Sequence, residues 1–334
     1  MLDGDVTGSW RAGALRVGST KRSLRVVCST GEDVGVESGF GSVVTSDGRT
    51  VAFLDGGDPG GYPVIGLHGT PGCRLSRWPD DSLYAGAGVR YITTDRAGYG
   101  RSSRHRGRGV ASEVADVRTV ADALGLDRFS VVGGSGGGPH ALACAALLGD
   151  RLDRVACQSS LAPLDAGGLS RRDWLAGMGQ EMAAELAWAD AGEDVLAVEM
   201  ARTQRLMADR IRTDPGALLG DQVSAIDVGF LQRPQTVEAF GRIIPEQAIN
   251  GVWGSVDDTL AFARGWGFDL DQIRVSVLLT FGDDDTSCPV AHGRFLAAAV
   301  SGATVIETRG GGHFAADPVK DILNTHRWLV TGRL

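Results

Sequence analysis

Lysine is nearly absent: of 33 Lys and Arg residues, only Lys21 and Lys320 are lysine. Together with abundant Ala, Gly, Asp and Val, this matches codon bias in a high-GC genome and says nothing of fold. Positive charge is also outweighed overall. The 334-residue chain has 41 acids and a formal net charge of −8, which argues against nucleic acid or an anionic membrane as the main partner. Cysteine is sparse and unpatterned. Cys28, Cys73, Cys144, Cys157 and Cys288 are odd in number and form no CxxC pair. Reduced, buried thiols in a cytoplasmic protein are the expectation. No apolar run approaches the roughly 18–20 residues that span a bilayer. The N-terminal stretch also lacks the apolar segment of a secretory signal. Repeats and low-complexity tracts are missing too. What remains is ordinary globular material, 43% hydrophobic and 22% charged, long enough for one large domain with an insertion.

Residues 1–40 are polar and Gly-rich and read as a poorly structured leader, with an extra strand conceivable around Leu24–Cys28. From Gly41 the pattern changes. Ser42–Thr45 and Thr50–Asp55 read as strands around the turn Ser46-Asp47-Gly48. Pro63–His68, Val89–Thr94 and Phe129–Val132 are apolar without alternation, as in strands buried on both faces. Ala111–Leu124 carries Val114, Val117, Val120, Ala121 and Leu124 at helical spacing, and Gly125 stands where a helix stops. Gly136–Leu148 follows as a helix and Arg154–Ser159 as a strand. Alternating strands and helices imply a parallel sheet covered on both faces. The alternation lapses between about Pro163 and Gly265, where the sequence is helix-like. It resumes with strands at Val275–Phe281 and Thr304–Glu307 and helices at Pro289–Ala299 and Pro318–Val330. The expected division is a core of residues 41–163 and 266–334, with a helical cap insertion over 164–265.

The strongest chemical signal is Gly133-Gly-Ser135-Gly-Gly137, a G-x-S-x-G placed between a strand and a helix. That is the setting of a nucleophile elbow, where small neighbours let the backbone turn tightly around the serine. The Gly136 N–H falls at the helix N-terminus, where free donors favour an anion. A phosphate-binding loop is the rival, but no Gly-Lys-Ser/Thr follows and the G-x-G-x-x-G spacing is not met. Three further loops follow buried strands: His68-Gly-Thr70-Pro-Gly72, Gly282-Asp-Asp-Asp285 and Gly310-Gly-Gly-His313. Among six histidines only His313 combines a late loop with flanking glycines. One of the three acids is expected to orient it. Asp285 is preferred by its place between Gly282 and Pro289, with Asp284 and then Asp165 behind. A metal site is a poor reading of these acids, because neighbours in an extended loop diverge and no His/Cys set accompanies them. No cofactor is called for.

These motifs, with Asp95-Arg-Ala-Gly-Tyr-Gly-Arg-Ser102, resemble the α/β-hydrolase superfamily, in particular its cap-bearing bacterial branch of esterase-like and proline iminopeptidase-like enzymes. The resemblance spans about residues 41–331. It implies a mostly parallel eight-stranded sheet with helices on both faces and a helical cap. It further implies a Ser135–His313–Asp285 triad, with an oxyanion hole formed by the backbone N–H groups of Thr70 and Gly136. Two departures narrow it. Haloalkane dehalogenases and epoxide hydrolases of this fold place Asp at the elbow, so their chemistry is not expected. Proline iminopeptidases usually carry Trp after the nucleophile and cap acids for the substrate amine. Here Gly136 follows Ser135, and Glu181, Glu185 and Glu199 read as a solvated helix face.

In the cap, Trp174, Met178 and Met182 recur at i, i+4 and i+8, one helical stripe. Packing onto the core accounts for such a stripe, yet a cap faces the serine, and Trp and Met suit an adaptable apolar pocket. A hydrophobic small-molecule substrate is therefore expected. The expected reaction is cleavage of an ester, lactone or thioester through an acyl-enzyme. The alternative is a natural-product lyase or cyclase on the same triad, for example one eliminating acetate. A non-catalytic ligand receptor on this fold is a more distant third. Oligomeric state is not legible.

Overall fold

The computed structural model describes residues 27–28, 39–165, 167–213 and 223–334, with the backbone alone for 27–28 and 207–213. The expected leader therefore lies outside the described residues, apart from 27–28 and 39–40. Nine strands form one sheet: β1 (Val27–Cys28), β2 (Phe40–Val44), β3 (Thr50–Gly57), β4 (Tyr62–Leu67), β5 (Val89–Thr94), β6 (Phe129–Gly134), β7 (Leu152–Gln158), β8 (Ser276–Gly282) and β9 (Thr304–Thr308). Their order is β1-β2-β3-β5-β4-β6-β7-β8-β9. The first three pairings, through β3 with β5, are antiparallel, and every pairing from β5 to β9 is parallel. The eight expected strands are β2–β9; β1 adds a two-residue edge.

Neighbouring residues of the central strands bury on opposite faces, which is why these strands do not alternate in sequence. Ile65, Val131, Val155 and Leu279 pack on one side with α2 (Glu113–Ala123) and α3 (Gly137–Leu147). Val64, Val132, Ala156 and Leu278 pack on the other with α1 (Ser82–Gly86) and α11 (Pro318–Thr331). Each fully buried Val, Ile or Leu contributes about 1.5–3 kcal/mol of transfer free energy.

Between β7 and β8 the chain forms α4 (Arg171–Leu175), α5 (Gln180–Ala191), α6 (Glu193–Thr213), α7 (Ala225–Leu231), α8 (Pro234–Gln247) and α9 (Trp253–Phe262); α10 (Val290–Ala299) follows β8. Among the described residues this long insertion contains no sheet strand, only an isolated bridge at Leu164 and Leu169. The expected single stripe through Trp174, Met178 and Met182 is not one helix. Gly177, at φ +84°, breaks the chain between α4 and α5, a conformation that glycine adopts without a Cβ clash. Trp174 and Met178 are buried in the main core, and Met182 packs against it. No described helix is long and apolar enough to cross a membrane.

Candidate active site

Ser135 sits between β6 and α3 at φ +53°, a left-handed conformation that a serine holds only where its surroundings enforce it. Its N–H donates to Gln158 O on β7 at 2.8 Å. The flanking glycines are required by contact. A Cβ on Gly133 would lie 2.3 Å from Gly137 O, and one on Gly137 would lie 2.2 Å from Leu67 O. The elbow therefore closes only with bare backbone on both sides of the serine.

The parallel strands bring the other loops to the same edge of the sheet. His313 follows β9, and its Nδ1 lies 2.8 Å from Asp285 Oδ2. The other oxygen of Asp285 accepts the N–H groups of Ser287 and Cys288, both at 2.8 Å, so this buried carboxylate is fixed in orientation. Of the three adjacent acids, Asp285 alone meets the imidazole: the Asp283 carboxylate takes the Gly310 N–H, and Asp284 uses its backbone N–H on Gly311 O. Asp165 lies in an exposed turn after β7. Burial disfavours charge on His313, but the charge and hydrogen bond of Asp285, with the charge of Asp227, outweigh it and raise the imidazole above its ordinary range. The Ser135 hydroxyl neighbours the Cys288 thiol, and no Ser135–His313 hydrogen bond is among the described ones. Such bonds are often long in a ligand-free site and tighten with substrate.

The Thr70 and Gly136 backbones come close together. A Cβ on Gly136 would stand 3.1 Å from Thr70 N and 2.2 Å from Thr70 Oγ1. Neither N–H is spent on a described protein acceptor. The Asp95–Ser102 motif, whose role was not legible, holds this loop. Arg96 donates to His68 O at 2.8 Å and to Gly69 O and Thr70 Oγ1 at 3.1 Å. Thr70 Oγ1 in turn donates to Asp258 Oδ2 on α9 at 2.5 Å. Asp258 is fully buried and also engages Arg96 at 2.5 Å, Arg108 at 2.6 Å and Tyr99 OH at 2.9 Å. Burial works against its charge, yet Arg108 and Arg96 prevail and hold the carboxyl well below the usual range.

A cavity opens beside Ser135, Thr70 and Gly136, with Trp174, Met182, Leu186 and Phe262 as apolar walls and Glu185 and Thr259 as polar ones. Trp174 and Met182 thus reach the cavity, whereas Met178 does not and serves the core. Glu185 departs from the expected solvated face: it borders the cavity and accepts from Thr259 Oγ1 at 3.2 Å. Burial, against that hydrogen bond and with the charges of Asp258 and Glu181, pushes its carboxyl up to about 7. The sequence separates Glu185 from Thr259 by 74 residues, so no local pattern marks it. Cys73, Cys144, Cys157 and Cys288 are buried and unpaired. Among the described residues no group of three His, Cys, Asp or Glu is arranged to hold a metal.

The family model described as alpha/beta hydrolase fold matches residues 62–317. A proline iminopeptidase of Xanthomonas citri is 29% identical over 303 residues, covering 83% of this chain and 91% of the relative. Among solved structures, an esterase from Rhodococcus sp. ECU1013 superposes with a TM-score of 0.64 at 19% identity over 88% of this chain and 99% of that one. An enol-lactonase from Burkholderia xenovorans LB400 gives 0.58 at 19% identity over 87% and 97%. At such identities these two speak to the fold alone. The family match covers most of the chain, including the loops that carry Ser135, Asp285 and His313, and the chain belongs to the alpha/beta hydrolase fold family.

Proposed function

We propose that this protein is a serine hydrolase that cleaves an ester, lactone or thioester of a hydrophobic small molecule through an acyl-enzyme on Ser135. The observation that carries the proposal is the 2.8 Å His313–Asp285 pair, delivered to the same sheet edge as the strained Ser135 elbow. In this reading Ser135 Oγ attacks the carbonyl carbon while His313 Nε2 takes its proton. Asp285 holds the imidazole and balances the imidazolium. The N–H groups of Thr70 and Gly136 receive the oxyanion, each donor supplying about 3–4 kcal/mol of transition-state stabilisation. His313 returns the proton to the leaving group, and water then repeats the sequence on the acyl-enzyme. Full turnover of a p-nitrophenyl ester by Ser135→Ala would overturn the proposal. Hydrolysis in heavy-oxygen water places the label in the released acid; unlabelled acetate with an alkene co-product would assign the site to elimination instead.

Glu185 supports a second reading, in which the substrate carries a basic amine. A carboxyl beside Thr259 in a mainly apolar cavity suits a cationic nitrogen, whose charge would draw it into its ionised form, and the relative named a proline iminopeptidase matches over most of the chain. Here Glu185→Gln would lower kcat/KM for prolyl and other aminoacyl esters and leave their N-acetylated forms unaffected. Equal effects on both would remove this reading. Gly136 weighs against close identity with that enzyme, because any side chain there meets Thr70.

A further inference from the structure

Asp227 lies on α7, outside the site described so far, and is 1% exposed. Both of its oxygens are used on the loop that carries His313. Oδ2 accepts the His313 N–H at 2.9 Å and Oδ1 accepts the Phe314 N–H at 2.7 Å. Ser224 completes the arrangement: its hydroxyl donates to Oδ2 at 2.8 Å and accepts the Asp227 N–H at 3.1 Å. Three residues along α7, the Phe230 ring stacks on Phe314 at 4.3 Å and 14°. Gly312 permits the approach, since a Cβ there would stand 2.4 Å from Asp227 Oδ2 and 2.2 Å from Ser224 Oγ.

An amide in its place would accept through one oxygen only and set its own N–H groups against the other donor, so the two-sided grip itself calls for a carboxylate. That grip buries a carboxylate at a cost of several kcal/mol, and its negative charge acts on the residue it holds. The groups facing His313 are Asp285 from the loop after β8, Asp227 from α7, Ser159, whose hydroxyl donates to His313 O, and the edge of Phe314. The nearby cation Arg233 is turned to Ala316 O. Asp285 thus bonds to the imidazole and Asp227 to the main chain of the same residue, no cation pairs with the ring among the described residues, and the Asp227 charge favours its protonated form.

We propose that Asp227 is a positioning residue that ties the general base to the helical insertion, fixing the His313 loop and adding a second negative charge behind the imidazolium formed during acyl transfer. The proposal rests on the reading of His313 as the base. Its test is an NMR titration of the His313 imidazole in the wild type and in Asp227→Asn, assigned by the signal lost in His313→Gln, together with the pH profile of p-nitrophenyl ester cleavage. Removing the charge should lower the imidazole midpoint by about half a pH unit or more. The acid limb of kcat/KM moves down with it, so activity there, relative to the plateau, rises ~3-fold. The plateau itself falls by about 10-fold as the loop loosens. A purely structural Asp227 would lower the plateau and leave both midpoints in place, which overturns the proposal. Full turnover by His313→Gln would instead remove the underlying reading, whatever Asp227→Asn does. Should Asp227→Asn not fold, hydrogen exchange on the wild type decides the clamp: the His313 and Phe314 amides should be protected, and exchange at free-chain rates refutes it.

Discussion

Glu185→Gln should make the protein more stable in neutral and alkaline solution and abolish one component of its pH dependence. The Glu185 carboxyl titrates at about 7 in the fold against 4.5 in an open chain. The folded state therefore binds this proton more tightly, and between pH 4.5 and 7 the unfolded state carries fewer protons at this position. Stability must then fall as pH rises through that window. At about 1.4 kcal/mol per pH unit, the span from 4.5 to 7 amounts to roughly 3.5 kcal/mol, and solvent screening at this half-buried position brings it to about 2–3 kcal/mol. Glutamine keeps the acceptor for Thr259 Oγ1 and removes the ionisation. Urea unfolding of both proteins from pH 4.5 to 8 measures the difference. The curves should nearly meet at pH 4.5 and separate by about 2–3 kcal/mol at pH 8, with the variant above. Glu113, also raised to about 7, is present in both proteins and cancels. Parallel curves across the range would refute the assignment of a half-buried, proton-retaining Glu185.

Asp258→Ala leaves the buried guanidinium groups of Arg96 and Arg108 without their carboxylate and should cost about 3–5 kcal/mol in urea unfolding; a loss below ~1 kcal/mol would contradict that. Gly136→Ala introduces a Cβ 2.8 Å from Thr70 Cβ. It should reduce ester turnover ~10- to 100-fold with a small change in stability, whereas wild-type turnover would show that the Thr70 loop does not need this approach. His140, His292 and His326 are held neutral by burial, their midpoints lowered from 6.5 to about 4. At these positions the unfolded chain binds more protons in that window, opposite in sign to Glu113 and Glu185, so His326→Gln should lessen the loss of stability between pH 6.5 and 4 in urea unfolding, and a profile parallel to the wild type would contradict its burial as a neutral group.

The sheet was legible because its signals are local. Val64 and Ile65, or Val131 and Val132, bury on opposite faces of one strand, and the unbroken apolar runs they create need no distant partner to be recognised. The loop residues Ser135 and His313 stood out for the same reason, since the glycines that clear space around them are adjacent in sequence. The rest depends on packing across the chain. Thr70 and Asp258 meet across 188 positions and Asp227 and His313 across 86, so nothing near either acid announces its use. Glu185 was misread because its helix carries polar residues on several sides, and only the approach of Thr259 and the cavity distinguishes it from its exposed neighbour Glu181. The stripe through Trp174, Met178 and Met182 failed at Gly177, where one residue of positive φ turns the chain out of the helix.

The central claim is that Ser135 is an activated nucleophile that carries an acyl group. Intact-protein mass spectrometry after brief mixing with an activated ester, followed by peptide mapping, tests it most directly. The account predicts a single acyl adduct on Ser135 that disappears with time in the wild type and never forms in Ser135→Ala. An adduct on another residue, or ester turnover with Ser135 unmodified under trapping conditions and unaffected in Ser135→Ala, would contradict it.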